Sequence, residues 1–499
     1  MRTTLRRSCN ACAKAKLGCD LRVPQCSRCL KRKSKCVYAN SPLNTPLDAT
    51  GPLAETTGHS SLHVAAKNEG EALSVVSQER EMVSRPSENP GLLINPATAS
   101  FDPFDSYPST RLPRLHVQRL IHRFLSSIAF QYYPLDLNIE SNPFIVSWWP
   151  LALADQALFH VSLQTASLYE ELQAQKGFPI SDLLMVDSIA LVRRRIENSS
   201  LAFQDETIDS VVTLAAIEHG KGNIEASKTH IDGVKRMVIF RGGINEVKRK
   251  SPLTARMVSW VSMLVMGAPQ FPAKDDFGDG DGISPIPQWQ LASTDAETPG
   301  GIFDDLNINP ALGSILSRLK PIFQDPRHSN LTNTALHDLT CYVIHRLLLL
   351  PPLIDGNPMQ SAASECLRYA AALYMLIIHG TTYYSHAGLA HIIILQLRYH
   401  LMVLAGTSYM HEPHIIWALS VGMVSTMGGE GHQWFLNETT AAAETLDLET
   451  WEHVLMRLQS ILWIRVPQED LFHQTWNEVF EAAAKRRQQV SLLASQSPN

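Results

Sequence analysis

The sequence predicts a small cysteine-rich head of two short helices (1–40), a disordered linker (41–110), a large all-α domain (111–485) and a disordered tail (486–499). Three observations predict this organisation. Six of the eight cysteines lie within the head. The next seventy or so positions are rich in Pro, Ser, Thr, Asn and Gly, as in flexible linkers. After them, apolar residues recur at steps of three and four, which is the period of amphipathic helices.

The head is strongly basic, whereas the rest of the chain is acidic. Residues 1–40 contain eleven Lys or Arg and one acidic residue, Asp20, so their formal charge is +10. The whole chain carries −5, which leaves −15 for the remaining residues. A positive head on an acidic body indicates a polyanionic partner for the head alone.

The cysteines of the head form two copies of one sequence repeat, C-x2-C-x6-C. A C-x2-C step lets two thiolates converge on one tetrahedral ion, and a short helical turn brings the third. Three thiolates leave each ion one ligand short of four, and the head contains no His. Sharing two sulfurs completes both tetrahedra, which predicts a cluster of two Zn²⁺ per chain. The predicted ligands are Cys9, Cys12, Cys19, Cys26, Cys29 and Cys36.

The head cannot fold on apolar burial alone, because Val23, Leu30 and Val37 are its main apolar residues. Bound metal must therefore stabilise it. Three other interpretations stay open: a disulfide knot, a copper-thiolate store and a zinc module that binds protein. The start of the chain lacks the apolar run of a secretory signal, which disfavours disulfides. The C-x-C steps usual in copper stores are absent.

The linker gives no sign of a dimerisation helix. Its apolar residues between Pro52 and Pro86 show no sustained heptad. Whether the chain is a monomer or a homodimer is therefore left open.

The region 111–485 shows repeated helical stripes and no alternation of strands with helices, so we predict one all-α domain. Gly242-Gly243 follows the third stripe and predicts a helix stop. The stripes are Val117, Leu120, Ile121, Phe124 and Ile128; Met185, Ile189, Val192 and Ile196; Ser227, Ile231, Val234 and Val238; and Leu367, Ala370, Ala371, Tyr374 and Ile378. Further apolar segments cover 337–350, 389–405, 413–427 and 451–464.

The most apolar of these segments, Leu389–Ala405, is interrupted by Gln396, Arg398 and His400. It predicts a buried helix rather than a membrane span, which requires about 18 or more apolar residues in a row. We therefore expect no membrane partner.

The stretch 273–310 interrupts the helical pattern with an acidic, glycine-rich run. The run does not meet the register of a calcium-binding loop, and no Glu closes it. A solvated loop and an acidic activating segment both remain open.

Catalytic signatures are absent from 111–485, so we predict that the protein is not an enzyme. His160, His219 and His230 lie in helical patterns without paired ligands. Cys341 and Cys366 lie alone in apolar helices and are expected to be core residues.

Over residues 6–38 the head resembles the fungal Zn2Cys6 binuclear-cluster transcription factors. The cysteines are in register with that family, and Asp20, Pro24 and Tyr38 stand at its usual positions. The resemblance implies that Cys9 and Cys26 bridge the two metal ions. It also implies a nuclear protein whose partner is double-stranded DNA.

The resemblance further implies that the first helix enters the major groove, where Lys16 reads a CGG-type triplet. A lysine near a helix end can donate to guanine O6 and N7. Other basic residues suit phosphates, which position the protein without specifying sequence. These are Lys14, Lys31, Arg32, Lys33 and Lys35, with Arg6 and Arg7 as an amino-terminal arm. Ala13 and Gly18 stand where the family often has basic residues, which removes two expected phosphate contacts.

The helical domain resembles the regulatory region that follows these clusters. The resemblance rests on four stretches, at 150–163, 230–244, 364–375 and 418–435. It implies control through the transcription machinery or co-regulators, and in some relatives through a small apolar ligand. A hydrophobic core explains Trp417, Trp434, Trp451 and Trp463 better than a ligand site does.

We therefore predict a sequence-specific transcription factor for RNA polymerase II genes. The Ala-x-Ala-Lys form of its first helix resembles the subset that controls biosynthetic (secondary metabolite) gene clusters. The alternative hypothesis is a ligand-sensing or protein-interaction regulator whose zinc module docks partners rather than DNA.

Overall fold

In the computed structural model, the structure describes residues 10–15, 27–34, 107–132, 138–295, 303, 306, 308–324, 331–354, 356–464 and 469–495. The chain divides into two units, 1–96 and 97–499. Most of the predicted linker lies outside the described residues, so its disorder stays a prediction.

The described part of the amino-terminal unit consists of two short helices in contact with each other, α1 (Asn10–Lys14) and α2 (Ser27–Lys31). This agrees with the prediction of two short helices in the head.

The second unit is helical, and its described residues contain no β-strand beyond an isolated bridge between Ala273 and Ile283. The first half consists of α3 (Arg114–Arg123), α4 (Ala129–Gln131), α5 (Trp149–Ala154), α6 (Gln156–Ala174), α7 (Pro179–Glu197), α8 (Asp205–Gly220), α9 (Ile224–Phe240), α10 (Ile244–Lys250) and α11 (Pro252–Met266). Two π-helical turns, Phe124–Ile128 and Phe144–Trp148, lie between α3 and α4 and before α5.

The second half consists of α12 (Pro287–Asp295), α13 (Pro310–Gln324), α14 (Asn333–Leu349), α15 (Pro358–His379), α16 (Ala387–Leu404), α17 (Pro413–Ser425), α18 (His432–Thr445), α19 (Trp451–Ile461) and α20 (Glu469–Ser495). A 3-10 turn, Ser408–His411, precedes α17.

Local chemistry explains where several helices begin and end. The Asp155 carboxylate accepts a hydrogen bond from the Leu158 backbone N–H at the start of α6 (2.8 Å), and the Thr332 hydroxyl caps α14 in the same way. Gly242 and Gly243 both have positive φ angles after α9, which confirms the predicted stop.

The core of this unit is one continuous apolar cluster. In the first half α8 packs against α6, α9 and α11; in the second half α15 packs against α14, α16 and α17. The predicted stripe of α15, from Leu367 to Ile378, is buried throughout. Cys341 and Cys366 are also buried, as predicted.

Some details differ from the sequence prediction. In α7 the buried face is centred on Leu184, Ser188 and Val192, so Ile196 is exposed. The predicted disordered tail is wrong over 486–495, because α20 continues to Ser495; Arg, Gln, Leu and Ala there all favour helix. The domain also begins earlier than 111, since the Tyr107 ring stacks on Phe159 at 5.6 Å.

The acidic, glycine-rich run folds as a loop held by α13 and α14. The Tyr342 hydroxyl donates to the backbone oxygens of Lys274 and Asp275 (3.1 and 2.9 Å). Asp276 pairs with Arg346 at 3.0 Å. The prediction of a solvated loop is therefore wrong around Asp276, because its carboxylate forms an ion pair with Arg346 that holds the loop against α14.

Among the described residues, α15 and α16 are long and apolar enough to cross a membrane by length and composition alone. In α15 83% of the apolar window is buried, as in the core helix of a folded domain, but in α16 only 28% is. The prediction of a buried helix at Leu389–Ala405 is thus wrong for one face, because composition does not reveal which neighbours cover a helix.

Candidate metal centre and nucleic-acid interface

The repeated cysteine unit is also a repeat of structure. α1 begins one residue after Cys9, and α2 begins one residue after Cys26, 17 positions further along. Each helix is five residues long and carries a cysteine, Cys12 or Cys29, at its third position. The two described helices of the head therefore repeat one local conformation.

Both described cysteines point into the head. The side chains of Cys12 and Cys29 are each 2% exposed, although the helices that carry them have only five residues. Helices this short are not stable in isolation. Buried sulfurs on two contacting helices fit a thiolate cluster that holds the helices together.

The other four predicted ligands, Cys9, Cys19, Cys26 and Cys36, lie outside the described residues. Among the described residues no group of three metal-ligating side chains meets, since only two of the six cysteines belong to them. Neither the complete ligand set nor the bridging role of Cys9 and Cys26 is tested by the geometry.

The described basic side chains of the head point outwards. Lys14 and Lys31 are the last residues of α1 and α2, and both are exposed, as are Arg32 and Lys33. The sulfurs thus lie inside and the cations outside, as an interface with phosphates requires. Lys16, Lys35, Arg6 and Arg7 lie outside the described residues.

Lys33 terminates α2 in a left-handed conformation, with φ +49°. The Lys33 backbone N–H donates to the Leu30 oxygen (3.2 Å), and the Ser34 N–H donates to the Cys29 oxygen (3.1 Å). This is the Schellman pattern, with lysine at a position that usually holds glycine. Because no glycine stands at this position, the sequence does not predict the end of α2. In the repeat, Lys33 occupies the place that Lys16 occupies in the first unit.

The helical unit contains a surface cleft of about 400 Å³ beside the Gly242-Gly243 turn. Its walls are mainly apolar, and the Lys235 ammonium at its edge donates to the Gln270 side chain at 3.0 Å. Residues that line it include Val238, Ile239, Ile244, Phe271 and Pro272.

The four tryptophans considered as a ligand site are largely core. Trp417 is fully buried and its indole N–H donates to the Leu462 oxygen at 2.8 Å. Trp463 packs near Tyr374 and Trp451. The Trp434 ring instead lies under the Arg398 guanidinium at the surface (5.2 Å).

Sequence reasoning missed a buried histidine pair. His337 Nδ1 and His379 Nε2 lie 2.9 Å apart beside the Trp260 ring. Burial lowers the pKa of His337 to about 3, assisted by Arg256, and lowers the pKa of His379 as well. The sequence contains no signal for this pair, because His337 and His379 lie 42 positions apart, on α14 and α15.

Comparison with known families yields two matches. Residues 7–45 match the model of the fungal Zn(2)-Cys(6) binuclear cluster domain. Residues 119–269, from within α3 to just after α11, match the model of the fungal specific transcription factor domain. No curated protein and no solved structure matches the chain.

The chain therefore carries both fungal domains that the sequence resembles. The two together support a fungal transcription factor whose cluster domain binds zinc and DNA. Such factors are typically not enzymes. The resembling stretches 364–375 and 418–435 lie beyond the second match, so their assignment to the regulatory region stays a prediction.

Proposed function

We propose that this fungal transcription factor is a nuclear protein that binds promoter DNA and regulates RNA polymerase II genes by reading CGG-type triplets. The observation that supports this most directly is the repeated cysteine helix, with Cys12 and Cys29 inside and the basic side chains outside. The six cysteines would hold two Zn²⁺ per chain, with Cys9 and Cys26, as the resemblance implies, as ligands of both ions. Zinc bound there would supply structure only, because it would fix the two helices in a geometry that a duplex groove can accept.

Within this proposal the basic residues divide into two roles. Lys16 donates to guanine and specifies the triplet. Lys14, Lys31, Arg32, Lys33 and Lys35, with the arm residues Arg6 and Arg7, contact phosphates and set the register of the head on the duplex. Lys14 and Lys31 are exposed at the equivalent ends of α1 and α2. These positions support near-symmetric contacts of the two helices with the phosphates of the DNA.

The helical domain carries the regulation, through co-regulators or the transcription machinery. We extend the proposal to pathway-specific control of a biosynthetic gene cluster, for which the form of the first helix is the support. A small apolar ligand would find a place in the cleft at Gly242-Gly243, since about 400 Å³ is within the range of small-molecule sites.

A selection of bound sequences from random DNA tests the proposal with two matched lysine variants of the full chain. We expect the natural protein to enrich CGG-type triplets. Lys16→Ala should abolish the preference, because the base contact discriminates by about 1–3 kcal/mol. Lys14→Ala should weaken binding to all sequences alike, because a phosphate contact carries no sequence information.

Both variants should keep their zinc, which mass spectrometry checks. An unchanged triplet preference in Lys16→Ala would refute Lys16 as the reader. If the natural protein enriches no sequence at all, the alternative function is favoured, in which the zinc module docks a protein.

A further inference from the structure

A polar cleft of about 350 Å³ lies where the segment before α3 meets α6 and α7. Ser109 and Arg111 line it from that segment, Gln156 lines it from α6, and Asp187 and Arg194 line it from α7. The function proposed above makes no use of this cleft.

The hydroxyl of Ser109 is held at the cleft by the side chain of Gln156. The Gln156 Nε2 donates to the Ser109 backbone oxygen (2.9 Å) and to the Ser109 Oγ (3.2 Å). Ser109 is nevertheless exposed, and residues 107–113 form no helix or strand. Exposed segments without regular structure are where enzymes most readily act on a folded chain. The Ser109 hydroxyl is therefore accessible to a modifying enzyme.

The charged groups of the cleft are positive on balance. Arg111 and Arg194 each contribute a positive charge, and Asp187 contributes a negative one. Arg111 donates to both Asp187 oxygens, at 2.8 Å from its Nε, so this carboxylate already has its partner. Arg194 is exposed, and its guanidinium forms no ion pair or hydrogen bond with the described residues. A cation without a partner beside an accessible hydroxyl is the arrangement that receives a covalently attached phosphate.

The remaining titratable side chain of the cleft, His160, adds no charge. His160 is 2% exposed, and its Nδ1–H donates to the Gln156 backbone oxygen at 2.8 Å. Burial lowers the pKa of His160, so the ring is neutral near pH 7.

We propose that Ser109 is a phosphorylation site and that its phosphate is held by Arg194 and Arg111. A protein kinase transfers the γ-phosphoryl group of ATP: the bond from the γ-phosphorus to the ADP oxygen breaks, a bond from the Ser109 Oγ to that phosphorus forms, and the hydroxyl proton passes to the kinase. Arg111 follows Ser109 by two positions and Arg114 by five, which suits a kinase that selects basic residues. The site lies in the helical unit, so it does not depend on the DNA-binding function.

The phosphate attaches the segment before α3 more firmly to α7. It carries about −1.5 to −2 charges at pH 7 and has strong acceptor oxygens. They accept charge-assisted hydrogen bonds from Arg194 and from the Arg111 Nη1, which Asp187 does not use. A kinase thereby controls how firmly the last residues of the predicted linker are held against the domain.

Mass spectrometry of the full chain, purified from fungal cells with phosphatase inhibitors, tests whether the modification occurs. We expect a phosphate that fragmentation places on Ser109, and we expect the variant Ser109→Ala to lack it. A chain that carries no phosphate on Ser109 in either growing or starved cells would overturn the proposal.

Phosphoserine introduced at position 109 through an amber codon tests the assigned contacts in the full chain. The second pKa of phosphoserine is about 6. It should fall by about 0.5–1 at position 109, because Arg194 and Arg111 favour the dianion. The pH dependence of the ³¹P NMR shift measures this pKa. Arg194→Gln should return it to about 6, and circular dichroism checks that this variant folds.

Phosphoserine at position 199 is the matched control. Ser199 is exposed just after α7, where the negative end of the helix dipole should keep the pKa at about 6 or above. Equal pKa values at 109 and 199, or a value at 109 that Arg194→Gln leaves unchanged, would refute the assigned phosphate contacts. The DNA-binding function would stand in each case, because the head takes no part in these measurements.

Discussion

Cysteine has two distinct uses in this chain. Cys12 and Cys29 are buried in the head, where so few apolar residues surround them that burial alone cannot stabilise the fold. Cys341 and Cys366 are buried in a large apolar core, and this burial raises the pKa of both thiols. The core thiols therefore stay protonated and unreactive. The spacing of the head cysteines predicted this division, because C-x2-C steps bring sulfurs together whereas isolated cysteines do not.

The histidines of the core could not be predicted in the same way. His337 and His379 lie 42 positions apart in sequence but are in contact, and their neutrality follows from burial that only the packed fold reveals. His345 and His414 are likewise buried, with pKa values lowered to about 4 by burial.

These histidines predict that acid destabilises the helical domain. In the unfolded chain each has a pKa near 6.5, whereas His337 in the folded chain has a pKa of about 3. Below about pH 6.5 the unfolded state therefore binds more protons, and the free energy of unfolding falls by up to about 1.4 kcal/mol per pH unit for each such group. Urea unfolding of the full chain, followed by tryptophan fluorescence at about pH 7.5 and pH 5.5, measures this dependence.

The double variant His337→Phe, His379→Leu provides the comparison. Its unfolding free energy should depend less on pH, but some dependence should remain from His345 and His414. An identical dependence in the variant and the natural protein would contradict the role assigned to the pair.

At the scale of helices, apolar periodicity predicted where most elements lie. The stripes of α9 and α15 are buried as expected, because a period of 3.6 fixes which side chains share a face. Periodicity did not reveal how much of that face is covered. Ile196 on α7 belongs to a predicted apolar stripe but is exposed to solvent. Helix α16 has two apolar faces, of which one is buried and the other is exposed.

Close approach between helices is a second feature that periodicity does not encode. Gly422 of α17 faces the Phe435 ring of α18, and a Cβ atom at Gly422 would lie 2.2 Å from Phe435 Cε1. Gly233 of α9 is also within a helix, but a Cβ atom there would lie 4.0 Å from Val211 Cγ1, an ordinary contact.

Replacing each of these two glycines with alanine should change the free energy of unfolding in opposite directions. Gly422→Ala should lower the free energy of unfolding by about 1–3 kcal/mol, because overpacking outweighs the gain in helix propensity. Gly233→Ala should raise it by about 0.4–1 kcal/mol, because it restricts the unfolded chain without a clash. Thermal and urea unfolding measure both variants. Equal effects of the two would show that the α17–α18 approach is not tight.

At the scale of the whole molecule, the sequence predicted the order of the domains better than their boundaries. The asymmetry of charge and the cysteine repeat distinguished the head from the helical domain. The ends of the domain were misplaced, because Tyr107 packs onto Phe159 upstream of 111 and α20 extends through the predicted tail. Such contacts depend on tertiary packing, which periodicity does not contain.

The separation of charge predicts a steep dependence of DNA binding on salt. Each phosphate neutralised by the head releases counterions and contributes about −0.9 to the slope of log K against log salt concentration. Lys14→Ala should make that slope shallower by about 1, whereas Lys228→Ala, in the helical domain, should leave it unchanged. Fluorescence anisotropy with a labelled duplex measures the slopes. A slope near zero for the natural protein would contradict phosphate binding by the head.

Metal binding by the six head cysteines is the property on which the proposed DNA-binding function depends most. Native mass spectrometry of the full chain, purified without chelators, measures this directly. We expect two zinc ions per chain and six cysteines free of disulfides, with the metal lost in Cys12→Ser but retained in Cys366→Ala. A chain that carries no metal, or whose head cysteines are joined to one another, would contradict it.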